Sequence, residues 1–410
     1  MHVAFVSTYP PQVCGIATYT RDLIDAVATA DPSVVIDVIA EHGAGLSGVA
    51  RVWPCFDGEG DYVGPILEQL DTLDADVVHI EHEFGVFGVD ERFLDLLAAL
   101  RRRCQLVVMT LHTVHTALSF DLGCSWRQRR MRLQDIDIEQ YQRRLGQVID
   151  AIVVHQERPI RDVLIRQGID RDRVRTIPHG TTIVSPSLRP RGRQETGPDY
   201  PFVLFAFGYF EPCKNYTVLI EALGLVRASL PNVRLVIGGH IRQPLVVSSE
   251  YRARCDQLIA DLGLEAHVKF LDYAVPDDEV TTRLAGADVA CFVYDEDTRS
   301  SSGALHRALG CGVPVVAARI PKFAEVGAIA DELLVNPRSP GELARLLVRV
   351  LSDADFRSDV RARGDRFALA TSWARVARDH LLLYRKLATE GGPHKHHDQF
   401  RRPRVTASLS

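Results

Sequence analysis

The chain lacks an excess of charge of either sign. Across 410 residues Lys and Arg number 48 and Asp and Glu 53, a formal net charge of −5. That balance gives no electrostatic footprint for nucleic acid, and no nucleic-acid partner is expected. Long apolar runs are lacking too. No stretch approaches the ~18 residues of a membrane-spanning helix. The apolar start at residues 2–7 is too short, and too poor in basic residues, for a secretory signal. Cysteine is sparse: the 8 present are scattered with no Cys-x-x-Cys pair, which argues against a zinc site. They read as reduced thiols of a cytoplasmic protein. Hydrophobic residues make up 46% and charged residues 25%, an ordinary globular composition. The length suits two domains of about 200 residues each.

Short apolar runs alternate with longer amphipathic ones. Strands are predicted at 2–7, 34–40, 76–81, 105–111 and 150–154, with helical patterns between them such as 17–29 and 126–148. The stretch 184–200 is rich in Pro, Gly and charge and reads as a linker. The rhythm then restarts, with strands at 202–207, 233–237, 267–271, 288–293, 313–317 and 332–335, a helix at 341–352 and an amphipathic run at 372–388. The reading is an N-terminal domain over 1–183, a second domain over 201–371, a final helix over 372–388 and a disordered tail over 389–410. Alternation of this kind marks parallel sheets covered by helices, and ligands of such sheets sit beyond the carboxyl ends of strands.

The residues after each strand are therefore the candidates. After the first strand, Gly15 turns the chain into a helix whose free N–H groups face the expected cleft. After the third come Glu81, His82 and Glu83, three ionisable residues among apolar ones. His112 follows the fourth and His155 the fifth, both suited to hydrogen-bonding a sugar hydroxyl or moving a proton. In the second domain, Gly208 precedes a turn, and Lys214 stands at a helix start, well placed for phosphate oxygens. Asp295-Glu296-Asp297 matches a three-residue metal pattern, but the same pattern recurs elsewhere in the chain and discriminates little. The stretch DTRSSSGALHRALGCGVPVV carries Arg299, Ser300, Ser301, Ser302 and Gly303 into a helix. A serine cap, a glycine that lets the backbone come close, unsatisfied N–H donors and an arginine make an anion site, with a diphosphate the expected guest.

The ordered series YPPQVCGIATYTRDL, IEHEFGVFG, TLHTVH, VRTIPHG, FGYFEPCKNYTVLIEAL and ALGCGVPVVA resembles glycosyltransferase family 4 over roughly residues 1–388. The resemblance implies the GT-B fold: two Rossmann-like domains facing across a cleft, with the last helix crossing back onto the first. It implies retaining transfer of a hexose, mannose or glucose, from a nucleoside-diphosphate sugar to a glycan, lipid-linked or small-molecule acceptor. No metal or other cofactor is expected. The acceptor belongs mainly to the first domain, near Glu81, His82, Glu83 and His155, and the donor to the second. Gly15 matches the family's glycine loop, His112 the histidine beside the transferred sugar and Lys214 the lysine on the donor diphosphate.

Three matched positions depart from the family. Its arginine after the first strand of the second domain falls on Gly208, and its Glu-x7-Glu pair falls on Arg299 and Arg307. The second glutamate of that pair normally holds the nucleotide ribose, and the first acts near the reacting sugar. Arg299 is expected to replace the missing cation from the other side of the diphosphate. A catalytically silent binding protein and a sugar phosphorylase on the same fold are the competing expectations. The basic run at 126–132 is a candidate for weak peripheral contact with anionic membrane.

Overall fold

The computed structural model describes residues 1–46, 48–103, 106–117, 137–239, 246–273, 275–296 and 299–390. The basic run 126–132, Asp297, the side chain of Arg299 and the tail 391–410 lie outside the described residues.

Runs rich in Val, Ile, Leu and Phe form the strands, because such residues fill a sheet buried on both faces. In the first domain these are β1 (His2–Ser7), β2 (Val35–Glu41), β3 (Arg51–Phe56), β4 (Val77–His82), β5 (Leu106–Leu111), the two-residue β6 (Thr113–Val114), β7 (Ala151–Val154) and β8 (Val174–Thr176). All but β6 join one parallel sheet in the order β3-β2-β1-β4-β5-β7-β8. Two of its strands were not expected. β3 contains Pro54, which disguises a strand, and it lies at a sheet edge, where proline is tolerated. β8 is only three residues long and lies at the other edge.

The second domain holds β9 (Phe202–Phe207), β10 (Val233–Gly238), β11 (Val268–Leu271), β12 (Val289–Phe292), β13 (Arg299–Ser300), β14 (Val315–Ala318) and β15 (Leu334–Val335). Its parallel sheet runs β11-β10-β9-β12-β14-β15. One apolar cluster forms the core of this domain, and two clusters cover the two faces of the first sheet.

Strand order reverses between β1 and β4 in one sheet and between β9 and β12 in the other. At such a reversal the connecting loops leave in opposite directions and open a crevice. Segments 8–14 and 83–88 flank the first crevice, and segments 208–215, 293–296 and 299–303 flank the second.

The stretch 184–200, expected as an open linker, is folded against the second domain. A 3-10 turn, Pro186–Leu188, runs into helix Arg189–Thr196. Arg189 and Arg193 both pair with Asp288, at 3.0 and 2.6 Å. Gly192 allows the approach: a Cβ there would fall 1.9 Å from the Thr282 carbonyl oxygen in helix Asp277–Gly286.

The final helix, Trp373–Glu390, packs Val376, Ala377, Leu381, Tyr384 and Leu387 with Val3, Phe5, Leu23 and Val27 of the first domain. Arg385 pairs with Asp31 at 2.5 Å. The chain therefore crosses between domains twice, and the two crossings lie side by side. The Thr181 N–H donates to the Thr371 carbonyl at 2.9 Å, and the Trp373 N–H donates to the Thr181 carbonyl at 3.2 Å.

Candidate active site between the domains

The two domains meet through backbone pairing. β13 lies antiparallel to β6, with Arg299 opposite Val114 and Ser300 opposite Thr113. The Ser-rich loop of the second domain is thereby brought to the peptide beside His112. On the loop, Ser300 and Ser302 are buried. The Ser302 hydroxyl caps helix Gly303–Gly310 by accepting from the Leu305 N–H at 3.3 Å, as the sequence suggests. Gly303 faces the first domain: a Cβ there would lie 3.3 Å from His179 Nε2. Gly15 opens helix Gly15–Ala30, with nothing within 4 Å of where a Cβ would stand.

Lys214 ends the 3-10 turn Pro212–Lys214, and its ammonium sits 3.9 Å from the centroid of the Tyr294 ring. Burial works against the charged lysine, but the Tyr294 phenol and the Glu296 carboxylate outweigh it and hold its pKa above the ordinary value. Gly208 has φ 141°, and a Cβ there would meet Lys214 Cε at 3.2 Å. A side chain at 208 would therefore strain the backbone and displace the lysine. In this geometry Lys214 occupies the space beside a bare backbone.

Arg307 turns to Asp277, at 2.7 Å, and also donates to its backbone carbonyl. Its charge is thus matched by an acid in place, and Arg21 and Asp22 of the first domain face the same pair.

On the first-domain side, Glu81, His112 and His155 form one buried line. His112 Nε2 lies 2.8 Å from Glu81 Oε2, and His112 Nδ1 lies 3.3 Å from His155 Nε2. His155 Nδ1 reaches the Ile177 carbonyl at 3.1 Å. Burial pushes Glu81 up to about 8 and His112 down to about 4. Burial likewise takes His155 down to about 3. The Tyr19 ring packs on His112, His155 and His179, with centroids 4.8 to 5.2 Å away. Glu83 accepts from the Thr113 hydroxyl at 2.7 Å, next to the inter-domain pairing.

His82, expected on the sugar side, points the other way. Side chains alternate along a strand, so His82 leaves the face that carries Glu81. Its ring packs among Phe84, Phe87 and Phe93, and burial lowers its pKa to about 3.

A second buried network was not anticipated. Glu325 Oε2 accepts from the Ser301 hydroxyl at 3.0 Å and from Gln156 Nε2 at 3.1 Å. Its Oε1 lies 3.3 Å from His306 Nε2. His306 Nδ1 meets the Thr181 hydroxyl at 2.6 Å, and its ring stacks on His179 with centroids 4.8 Å apart. Burial alone would raise the Glu325 pKa, but His306 and the two donors bring it below the ordinary carboxylate value. The group ties the loop at 301 to the first domain through Gln156. Ser301 and His306 stand in the Ser-rich stretch itself, and no spacing marks Glu325 or Gln156. Among the described residues, no group of three or more His, Cys, Asp or Glu is placed to hold a metal ion. No described helix is long and apolar enough to cross a membrane.

Residues 201–353 match the family model described as glycosyl transferases group 1. The chain is 28% identical over 249 residues to a D-inositol 3-phosphate glycosyltransferase of Corynebacterium efficiens, covering 58% of this chain and 57% of the relative. It is 30% identical over 195 residues to a phosphatidyl-myo-inositol mannosyltransferase of Mycobacterium tuberculosis, covering 46% and 48% respectively. The matches thus span only about half the length of these curated relatives. Among solved structures, Anabaena HepE in complex with UDP superposes with a TM-score of 0.71 at 18% identity, over 94% of this chain and all of that one. Sucrose-phosphate synthase from Thermosynechococcus elongatus gives 0.72 at 19% identity, over 95% of this chain and all of that one.

Proposed function

We propose that this chain, whose fold is GT-B and whose residues 201–353 match the glycosyl transferases group 1 model, is a family 4-like glycosyltransferase that carries out retaining transfer of a hexose from a nucleoside-diphosphate sugar to a hydroxyl acceptor. The observation that carries this is the β6–β13 pairing, which sets the Ser-rich helix start of one domain against the peptide beside His112 of the other. A donor bridging the two would place its diphosphate by Lys214 and the 300–303 amides, and its sugar toward the His112 side. Relatives named as a glycosyltransferase and a mannosyltransferase, and a neighbour that holds UDP, support a nucleotide-sugar in that place.

In a front-face substitution the leaving diphosphate oxygen takes the acceptor proton, so the absent Glu-x7-Glu pair removes no obligatory base. The protein's task is to hold the charge that grows on the diphosphate. Lys214 and the capped helix N-terminus are the donors for that task, with Arg299 as a second cation. The acceptor is a glycan, a lipid-linked sugar or a small polyol on the first-domain side near Glu83.

The reading is tested by incubating the protein with a panel of nucleotide-sugars and measuring nucleoside-diphosphate release and binding side by side. Release with at least one donor is the expected result. Binding without release would favour a silent GT-B binding protein, which the loss of both family glutamates also favours. Release of a sugar 1-phosphate in the presence of inorganic phosphate would indicate a phosphorylase.

A further inference from the structure

Hydrogen-bond polarity along the buried line at His112 can be worked out from its fixed end. The Ile177 carbonyl can only accept, so His155 Nδ1, 3.1 Å away, carries hydrogen. A neutral His155 then offers a lone pair at Nε2, and His112 Nδ1, 3.3 Å away, must donate to it. His112 Nε2 is left facing Glu81 Oε2 at 2.8 Å. Two states fit that contact: a neutral acid donating to a neutral ring, or a carboxylate accepting from an imidazolium.

The surroundings of Glu81 decide between them. The residue is fully buried, and its Oε1 has no hydrogen-bond partner. A buried carboxylate with an orphan oxygen is costly, and the Thr110 hydroxyl and His380, which favour the charged form, offset only part of that cost. Among the described residues no lysine or arginine faces it. Its neighbours are His79 from β4, with Nε2 3.5 Å from Oε1, the Thr110 hydroxyl from β5, Tyr19 from helix Gly15–Ala30, and His380 and Tyr384 from the final helix. Glu83, whose carboxylate also acts on His112, adds negative charge rather than relief.

We infer that Glu81 is a positioning residue that stands as a neutral acid and donates to His112 Nε2. It thereby fixes a one-way hydrogen-bond chain from Glu81 through His112 and His155 to the Ile177 carbonyl. Burial acting on Glu81 and on His112 separately pushes each toward its neutral form, in agreement with this. Both nitrogens of His112 are then used inside the protein. The ring serves as an uncharged wall in one tautomer, and Glu81, His112 and His155 add no net charge to the first-domain side of the cleft. This deepens the donor reading above and rests on it for its functional meaning. Ionising Glu81 would place a negative charge behind the wall that the anionic donor meets.

The test reads the wall directly. Nitrogen NMR of the full chain at neutral pH should show His112 as a neutral ring protonated at Nδ1, and an imidazolium pattern for His112 would overturn the proposal. Infrared spectra should show a protonated buried carboxyl in the wild type that is missing in Glu81→Gln. A wild type without that band also overturns the proposal. Because the Gln amide N–H can replace the acid proton, E81Q should keep the wild-type ring signals while Glu81→Leu shifts them. E81Q shifting them as much as E81L would count against donation by Glu81. If neither variant folds, the wild-type ring and carboxyl signals still decide. None of these readings involves a nucleotide-sugar, so they stand or fall separately from transferase activity. Where activity is present, the donor KM of the wild type should rise several-fold above about pH 8, where Glu81 ionises, and that rise should be absent in E81Q.

Discussion

At the residue scale, the donor side depends on two cations with different standing. Lys214 is held charged over Tyr294 and beside a glycine. Lys214→Ala should weaken binding of a nucleoside diphosphate by roughly 100-fold, about 3 kcal/mol for a buried charged donor. Calorimetry with the diphosphate alone checks this. Arg299, whose peptide pairs with Val114 at the cleft, is expected on losing its side chain to lower turnover by roughly 100-fold with the fold intact. Unchanged turnover of Arg299→Ala would remove it from the charge-bearing set. The sequence made the strand-end residues readable because parallel sheets place function there. It misassigned His82, since a run of ionisable residues does not say which of them the strand's alternation turns into the core. It was silent on Glu325 and Gln156, because their network is assembled from segments near 156, 181, 301, 306 and 325 that only the tertiary fold brings together.

At the element scale, helix Arg189–Thr196 shows how composition misleads. Its Pro, Gly and Arg content suits open chain, yet the glycine is there for helix contact and the arginines for Asp288. Gly192→Ala should destabilise the protein by about 1 to 3 kcal/mol, because the added methyl meets the Thr282 carbonyl oxygen and the two helices must part. Denaturant melts should show the midpoint fall with an unchanged slope. Gly15→Ala is the matched control: open space surrounds that position, so its melt should stay within about 0.5 kcal/mol of the wild type.

At the scale of the whole molecule, the fold buries several uncharged histidines, some between the domains and His82 in the core of the first. The folded-state values of His82, His112 and His155 lie near 3 to 4. Below the ordinary histidine value of about 6.5, the unfolded chain binds protons that the folded protein does not. Stability therefore falls as pH drops, by up to about 1.4 kcal/mol per pH unit for each such ring. Glu81 runs the opposite way: its raised value makes the folded state the better proton binder from about 8 down toward the ordinary carboxyl range. One glutamate offsets only one of the three rings, so thermal midpoints should drop between about pH 6.5 and about pH 4.5. A flat profile would mean that the rings take up protons in the folded state.

The two side-by-side crossings also say how this molecule can move. One strand of backbone between domains would act as a swivel, free to twist and to slide. Here Thr181 is bonded to Thr371 and Trp373, so the crossings form a narrow ribbon. A ribbon folds about one axis and resists rotation about its length. Any opening of the cleft is expected to follow that one axis, like a book on its spine. Residues 113–114 and 299–300 should meet in the same register at every closure, with no search among alternatives.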